Sequence, residues 1–235
     1  MSKKGFVVLL MVAVAVGLFP LFLSFNGGNQ ISDLGQHYVQ NGVEETGAQN
    51  IVASIVVTYR GLDTLGEVTI LFLVASIISF FLSIAKDDRM ENRTLKSVTE
   101  VLTTSSQALV PIIITVGAYI LVNGHLTPGG GFQGGAVIAT GILLIFLANP
   151  KHQLNHTIIH WVESVSGMAF VAIGVLGVLM MDQGGFLSNK ILSLGTPGEL
   201  FSAGAIPLIN VFLGLKVGTE LSNVLGIYVE SQNEK

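Results

Sequence analysis

The chain has 235 residues, of which half are hydrophobic and 11% charged, with no cysteine and a formal net charge of −4; its mean hydropathy is +0.70. Soluble domains carry nearer 25% charged residues, so the composition calls for an all-α, polytopic membrane protein, and the small, dispersed negative charge does not suggest nucleic acid. Without cysteine the chain holds no disulfide, thiolate zinc site or iron–sulfur cluster of its own, so no cofactor and no metal are expected on it.

Residues 1–4 are short and basic, and residues 5–25 form an apolar run long enough to span a bilayer. No small-x-small cleavage pattern follows, so the run is expected to remain as a helix, kinked or ended near Pro20. Residues 26–64 are the longest polar segment and hold Asp33, Glu44, Glu45, Arg60 and Asp63. Within it, residues 51–59 are apolar but too short to cross, which suits an interfacial or re-entrant helix. A second span is expected at 66–85, opened by Glu67. That acid is either a wet residue favoured by the helix dipole or a waypoint for an ion.

A basic stretch follows, and then residues 101–150 contain no Asp, Glu, Lys or Arg. Two spans of roughly 20 residues fit there, expected at 105–123 and 134–148. They fold back at Pro128, Gly129, Gly130, Gly131, Phe132, Gln133, Gly134 and Gly135. Glycine costs about 1 kcal/mol relative to alanine inside a helix, so this stretch reads as a turn. It is either a plain loop or a backbone-lined element beside a polar path, since irregular backbone at membrane depth needs protein or water next to it.

His152, His156 and His160 recur every four residues and lead to Glu163. On a helix they share a face. They are candidates for a proton-collecting surface, or simply interfacial side chains beside Trp161; a metal site is disfavoured because no carboxylate or thiolate completes a ligand set. The fifth span is expected at 162–181. Glu163, Ser166, Gly167, Phe170, Gly174 and Gly177 lie on one side, where small residues permit close approach of protein. Val165, Met168, Ala172, Leu176 and Leu179 lie on the other, nearer lipid. A Gly-rich loop over 183–199 precedes the sixth span at 202–228, with Pro207 in its first half. Gly214, Gly218 and Ser222 form a small-residue ridge, and Lys216, Glu220 and Asn223 lie roughly opposite. A charge at that depth costs at least about 2.5 kcal/mol unless paired or hydrated. Lys216 and Glu220 are therefore either a self-neutralising pair with a snorkelling lysine or a pair that lines a polar path or docks a partner subunit.

Six spans put both termini on one side. That side collects Lys3, Lys4, Lys86, Arg89, Arg93, Lys96, Lys151 and Lys235 against Arg60 and Lys190 on the other. An N-in, C-in topology in the cell membrane is expected. No Walker loop, G-x-S-x-G elbow or H-E-x-x-H pair occurs, so no catalytic residue is assigned.

Gly124-His125 followed by Pro128-Gly-Gly-Gly-Phe-Gln-Gly-Gly135, with Asn210-Val-Phe-Leu-Gly-Leu-Lys-Val-Gly218, resembles the MnhB/MrpB-type subunit of the multi-subunit Mrp sodium/proton antiporters, a domain also found in membrane arms of ion-pumping hydrogenases. Glu45-Thr-Gly-Ala-Gln-Asn-Ile-Val52 and Tyr59-Arg-Gly-Leu-Asp-Thr-Leu-Gly-Glu67 resemble the small MbhE-type membrane protein of those hydrogenases, and equally the C-terminal tail of the large MrpA-type antiporter subunit. The resemblance implies two joined units, 1–90 and 91–235. It implies a non-catalytic membrane subunit that forms a sodium and proton path with other subunits, in the arm of a hydrogenase-like respiratory complex with a peripheral redox module. A purely structural subunit, or part of a standalone antiporter, is the alternative. In this family's pattern the motif proline and phenylalanine matter for transport. Pro128 would set the turn and Phe132 would gate it. Glu67, Glu163, Lys216 and Glu220 are the candidates for charge along the path.

Overall fold

The structure is a computed structural model that describes residues 3–24, 31–88, 98–149, 155–180 and 185–233. By contacts the chain forms two compact units, Met1–His37 and Tyr38–Lys235. Every regular element among the described residues is helical, and six helices are long and apolar enough to cross a membrane.

In the first unit, helix α1 (Lys3–Ser24) is apolar all round and exposes its large side chains all round. Pro20 does not end it: the helix runs on to Ser24. Helix α2 (Asp33–Thr46) begins in this unit, where Ser32 accepts from the Gly35 amide at 3.2 Å. It falls in the polar segment 26–64, where the sequence reading places a helix only at 51–59.

In the second unit, α2 ends at Thr46, whose hydroxyl donates to the Gly42 carbonyl at 2.6 Å and lies 2.8 Å from Ser54 Oγ. The short apolar run then forms one turn of helix α3 (Ile51–Ala53) passing into a π-helix over Ser54–Tyr59. Its wider winding displaces a carbonyl, and Thr64 Oγ1 donates to Val56 O at 2.6 Å. Helix α4 (Gly61–Asp88) follows at once. It starts about a turn earlier than the hydropathy suggests, so Glu67 lies in its second turn and not at its start.

Helices α5 (Glu100–Val122), α6 (Gly131–Ala148), α7 (His156–Met180) and α8 (Ile206–Asn233) complete the bundle. The central element is α8, which packs against α6, α7, α4 and α5. Glycines let these helices close in. A Cβ on Gly134 would stand 2.9 Å from the Gly117 carbonyl, and one on Gly135 would stand 2.6 Å from the Gly214 carbonyl. Gly131 and Gly135 of α6 thus face Gly214 and Gly218 of α8, two small-xxx-small steps in register. The core beside this seam comprises Val57, Val68, Phe170, Ile206, Ile209, Leu213 and Val217. On α7, Ser166, Phe170, Gly174 and Gly177 are buried while Val165, Met168, Ala172, Leu176 and Leu179 are exposed, as their periodicity predicts. Pro207 lies in the first turn of α8 and not part-way along a span; at that position its missing amide has no helical partner to lose.

Candidate functional site

The first cluster is built at the junction of α5 and α6. Gly129 and Gly130 adopt φ of 151° and 147°, a region closed to other residues, and Gly130 caps α6. The glycine motif is therefore half turn and half helix. Pro128, Gly129 and Gly130 form the bend, whereas Gly131, Phe132 and Gln133 are the first turn of α6, and Gly134 and Gly135 serve the helix seams. At a helix N-terminus and in such seams the usual cost of glycine is offset by close packing.

Asn210 of α8, 2% exposed, accepts from the Gly131 amide at 3.3 Å. Asn50 holds the loop from the other side. Its Nδ2 donates to the Gly124 carbonyl at 2.7 Å and the Thr127 carbonyl at 2.9 Å, its backbone amide donates to the His125 carbonyl at 3.0 Å, and its Oδ1 caps α3. His125 is fully buried with Nε2 3.4 Å from the Glu199 carbonyl. Burial pushes its ring below the usual histidine range, partly opposed by the surrounding carbonyls. A recess of about 240 Å³ lies beside the loop, lined by Val52 and Val56 of the α3–π segment, Glu67 of α4, Gly129 to Gln133, and Asn210 and Leu213. Glu67 is exposed at its edge and Phe132 is partly buried against the core.

The second cluster lies further along α8, toward the side on which α5 and α7 begin. Lys216 Nζ is 3.0 Å from Glu163 Oε1 on α7 and 3.4 Å from Glu220 Oε2 one turn on. Its ammonium also stands 4.9 Å from the centre of the Phe72 ring of α4. Gly167 makes room for the lysine stem, since a Cβ there would meet Lys216 Cδ and Cε at 3.6 Å. Lys216 does not snorkel: it is 8% exposed and Glu220 is 3% exposed. Two carboxylates within reach hold the ammonium inside more strongly than water draws it out. The carboxylate oxygens of Glu220, and Asn223 Oδ1, are buried without a hydrogen bond among the described residues. His160 Nδ1 lies 3.7 Å from Glu163 Oε2 on the exposed side. Of the other histidines, His156 opens α7 and His152 lies outside the described residues, so their common face is not seen.

Two of the candidate sets are thus brought together: Glu67 with the glycine motif, and Glu163 with Lys216 and Glu220. Along α8 the two clusters are about 9 Å apart, six residues at 1.5 Å each. Sequence reasoning missed Asn50 and Asn210, although Asn50 stands within one motif segment and Asn210 opens another. It also missed the pair of Tyr59 with Glu45, whose Oε2 accepts from the tyrosine hydroxyl at 2.5 Å. Partial burial and that carboxylate push the Tyr59 hydroxyl well above the usual range.

The domain related to the MnhB subunit of the Na+/H+ antiporter matches residues 101–223, and the MbhE family of MBH subunits matches residues 5–89. A chain of the membrane-bound sulfane sulfur reductase, an archaeal respiratory membrane complex, is 36% identical over 97% of this chain and 99% of its own, with a TM-score of 0.77. An uncharacterized protein of Methanocaldococcus jannaschii is 27% identical over 90% of this chain and 88% of its own length. A chain of the Mrp complex from Dietzia sp. DQ12-45-1b shares the fold, with a TM-score of 0.74 and 24% identity; this chain spans 27% of it. The chain is a multi-pass membrane protein that belongs to the family of domains related to the MnhB subunit of Na+/H+ antiporters, joined to a segment of the MbhE family.

Proposed function

We propose that the chain is a subunit, not catalytic by itself, that builds part of a sodium and proton path inside a multi-subunit respiratory complex of the cell membrane, with both termini in the cytoplasm. Two units, 1–90 and 91–235, are joined in it, and the two family matches on either side of residue 90 support that division. A peripheral redox module is proposed from the likeness to a chain of a respiratory complex along nearly its whole length.

The observation that carries the reading is the buried Lys216 between Glu163 and Glu220. Ionisable groups at membrane depth are rare where they only fill space and mark paths for ions or protons. Glu67 and the bend from Pro128 to Gln133 would form the outer part of the same path, with Phe132 as its gate. The glycine seams favour a second reading, a scaffold that holds neighbouring subunits in place.

Glu67→Gln, Glu163→Gln and Glu220→Gln in the whole complex separate the two. Path residues give complexes that assemble at normal yield and lose sodium-dependent proton movement in vesicles. Normal transport in all three variants supports the scaffold.

A further inference from the structure

The second cluster is ordered by exposure. The side chain of His160 is 61% exposed, Glu163 14%, Lys216 10% and Glu220 3%. Successive polar atoms are 3.7, 3.0 and 3.4 Å apart. The row runs from an imidazole at the surface to a carboxylate with no exit of its own. Two carboxylates and one ammonium leave one negative charge in a nearly closed site. Glu220 Oε1 and Oε2 and Asn223 Oδ1 are buried acceptors that receive no hydrogen bond among the described residues. Residues 101–149, which hold α6 and nearly all of α5, contain no Asp, Glu, Lys or Arg, and α4 presents Phe72.

A sodium ion here would need a shell of oxygens and would sit beside an ammonium group that repels it. A proton needs neither. On Glu220 it converts an acceptor into a donor, and Asn223, three residues on, lies on the same helix face to accept.

We propose that this branch is a proton-loading site that ends at Glu220 and excludes sodium, with His160 as the group that takes the proton from water. His160 gains a proton and passes it to Glu163. Lys216 gives one proton to Glu220 and takes the one on Glu163. His160 returns neutral and Lys216 stays an ammonium. The net change is one proton from water converting the Glu220 carboxylate to a carboxylic acid. This rests on the reading of the cluster as part of an ion path, and the test below separates its failure from the failure of that reading.

The test is infrared difference spectroscopy on the intact complex after a downward pH step. A carboxylic C=O band is expected to rise, to vanish in Glu220→Gln and to shift in Glu220→Asp, which keeps the acid. Exchanging choline chloride for sodium chloride at constant ionic strength should leave the band unchanged. His160→Ala should slow its rise at least several-fold and leave its final amplitude. Absence of any band that responds to Glu220 substitution, or its loss on adding sodium, overturns the proposal. A band that rises in the wild type and vanishes in Glu220→Gln, with transport unimpaired in that variant, overturns the path reading alone.

Discussion

Lys216 Nζ on α8 lies 3.0 Å from Glu163 Oε1 on α7, and this pair bridges 53 positions of sequence inside a membrane bundle. Breaking one side of a buried pair leaves the other charge unmatched, which costs roughly 3–5 kcal/mol. Lys216→Met strips both Glu163 and Glu220 of their counter-ion and is expected to lower stability by that order, whereas Glu163→Gln leaves Lys216 paired with Glu220 and should cost less. The double variant should cost less than Lys216→Met alone, because one buried carboxylate, that of Glu220, is left unmatched and not two. Thermal unfolding of the purified complex, followed as a double-mutant cycle, checks this; simple additivity would show that the two groups do not interact.

The glycine seams predict a ranking. A methyl group on Gly135 would meet the Gly214 carbonyl at 2.6 Å, one on Gly218 would meet the Gly135 carbonyl at 3.3 Å, and one on Gly66 would meet nothing within 4 Å. Gly135→Ala should destabilise by about 1–3 kcal/mol, as overpacking does, Gly218→Ala by less, and Gly66→Ala not at all. The melting temperature should be lowest for Gly135→Ala, intermediate for Gly218→Ala and highest for Gly66→Ala.

Asn50 caps α3 with one atom and holds the α5–α6 loop with another. Asn50→Asp keeps an oxygen for the cap but sets it against the Gly124 and Thr127 carbonyls. Asn50→Ala loses both functions. Both variants should raise hydrogen exchange at residues 124–130. Only Asn50→Ala should raise it at 52 and 53 as well.

His125 supplies a pH dependence. Its folded value lies below its ordinary one near 6.5. The unfolded chain therefore takes up a proton first as pH falls, and stability is present above about 6.5 and declines below it. His125→Phe should flatten that decline in a denaturation series from pH 7.5 to 5. An unchanged slope would place the acid sensitivity elsewhere.

The spans and their protein-facing sides were legible because hydropathy and a 3.6-residue period report burial directly. Ser166, Phe170 and Gly174 on α7, and Gly214 and Gly218 on α8, illustrate it. The partner of Lys216 was not legible. Glu220, four residues away, is visible in the sequence, whereas Glu163 becomes a neighbour only once α7 and α8 pack. Helix α2 was hidden because its stability depends on contacts such as Thr46 with Ser54, which hydropathy does not register. The start of α6 at Gly131 was missed for a related reason. Helix propensity penalises glycine one residue at a time and is blind to the helix that glycine allows to come near.

The helix that binds α4, α5, α6 and α7 together follows all of them in the chain. During synthesis, those four must enter the bilayer before their common neighbour has been made. Until then Glu163 lacks its counter-ion and the glycine faces of α6 meet only lipid. Such a protein is assembled around a vacancy, and its quality control falls on one later event: whether the helix made after its four neighbours finds its slot.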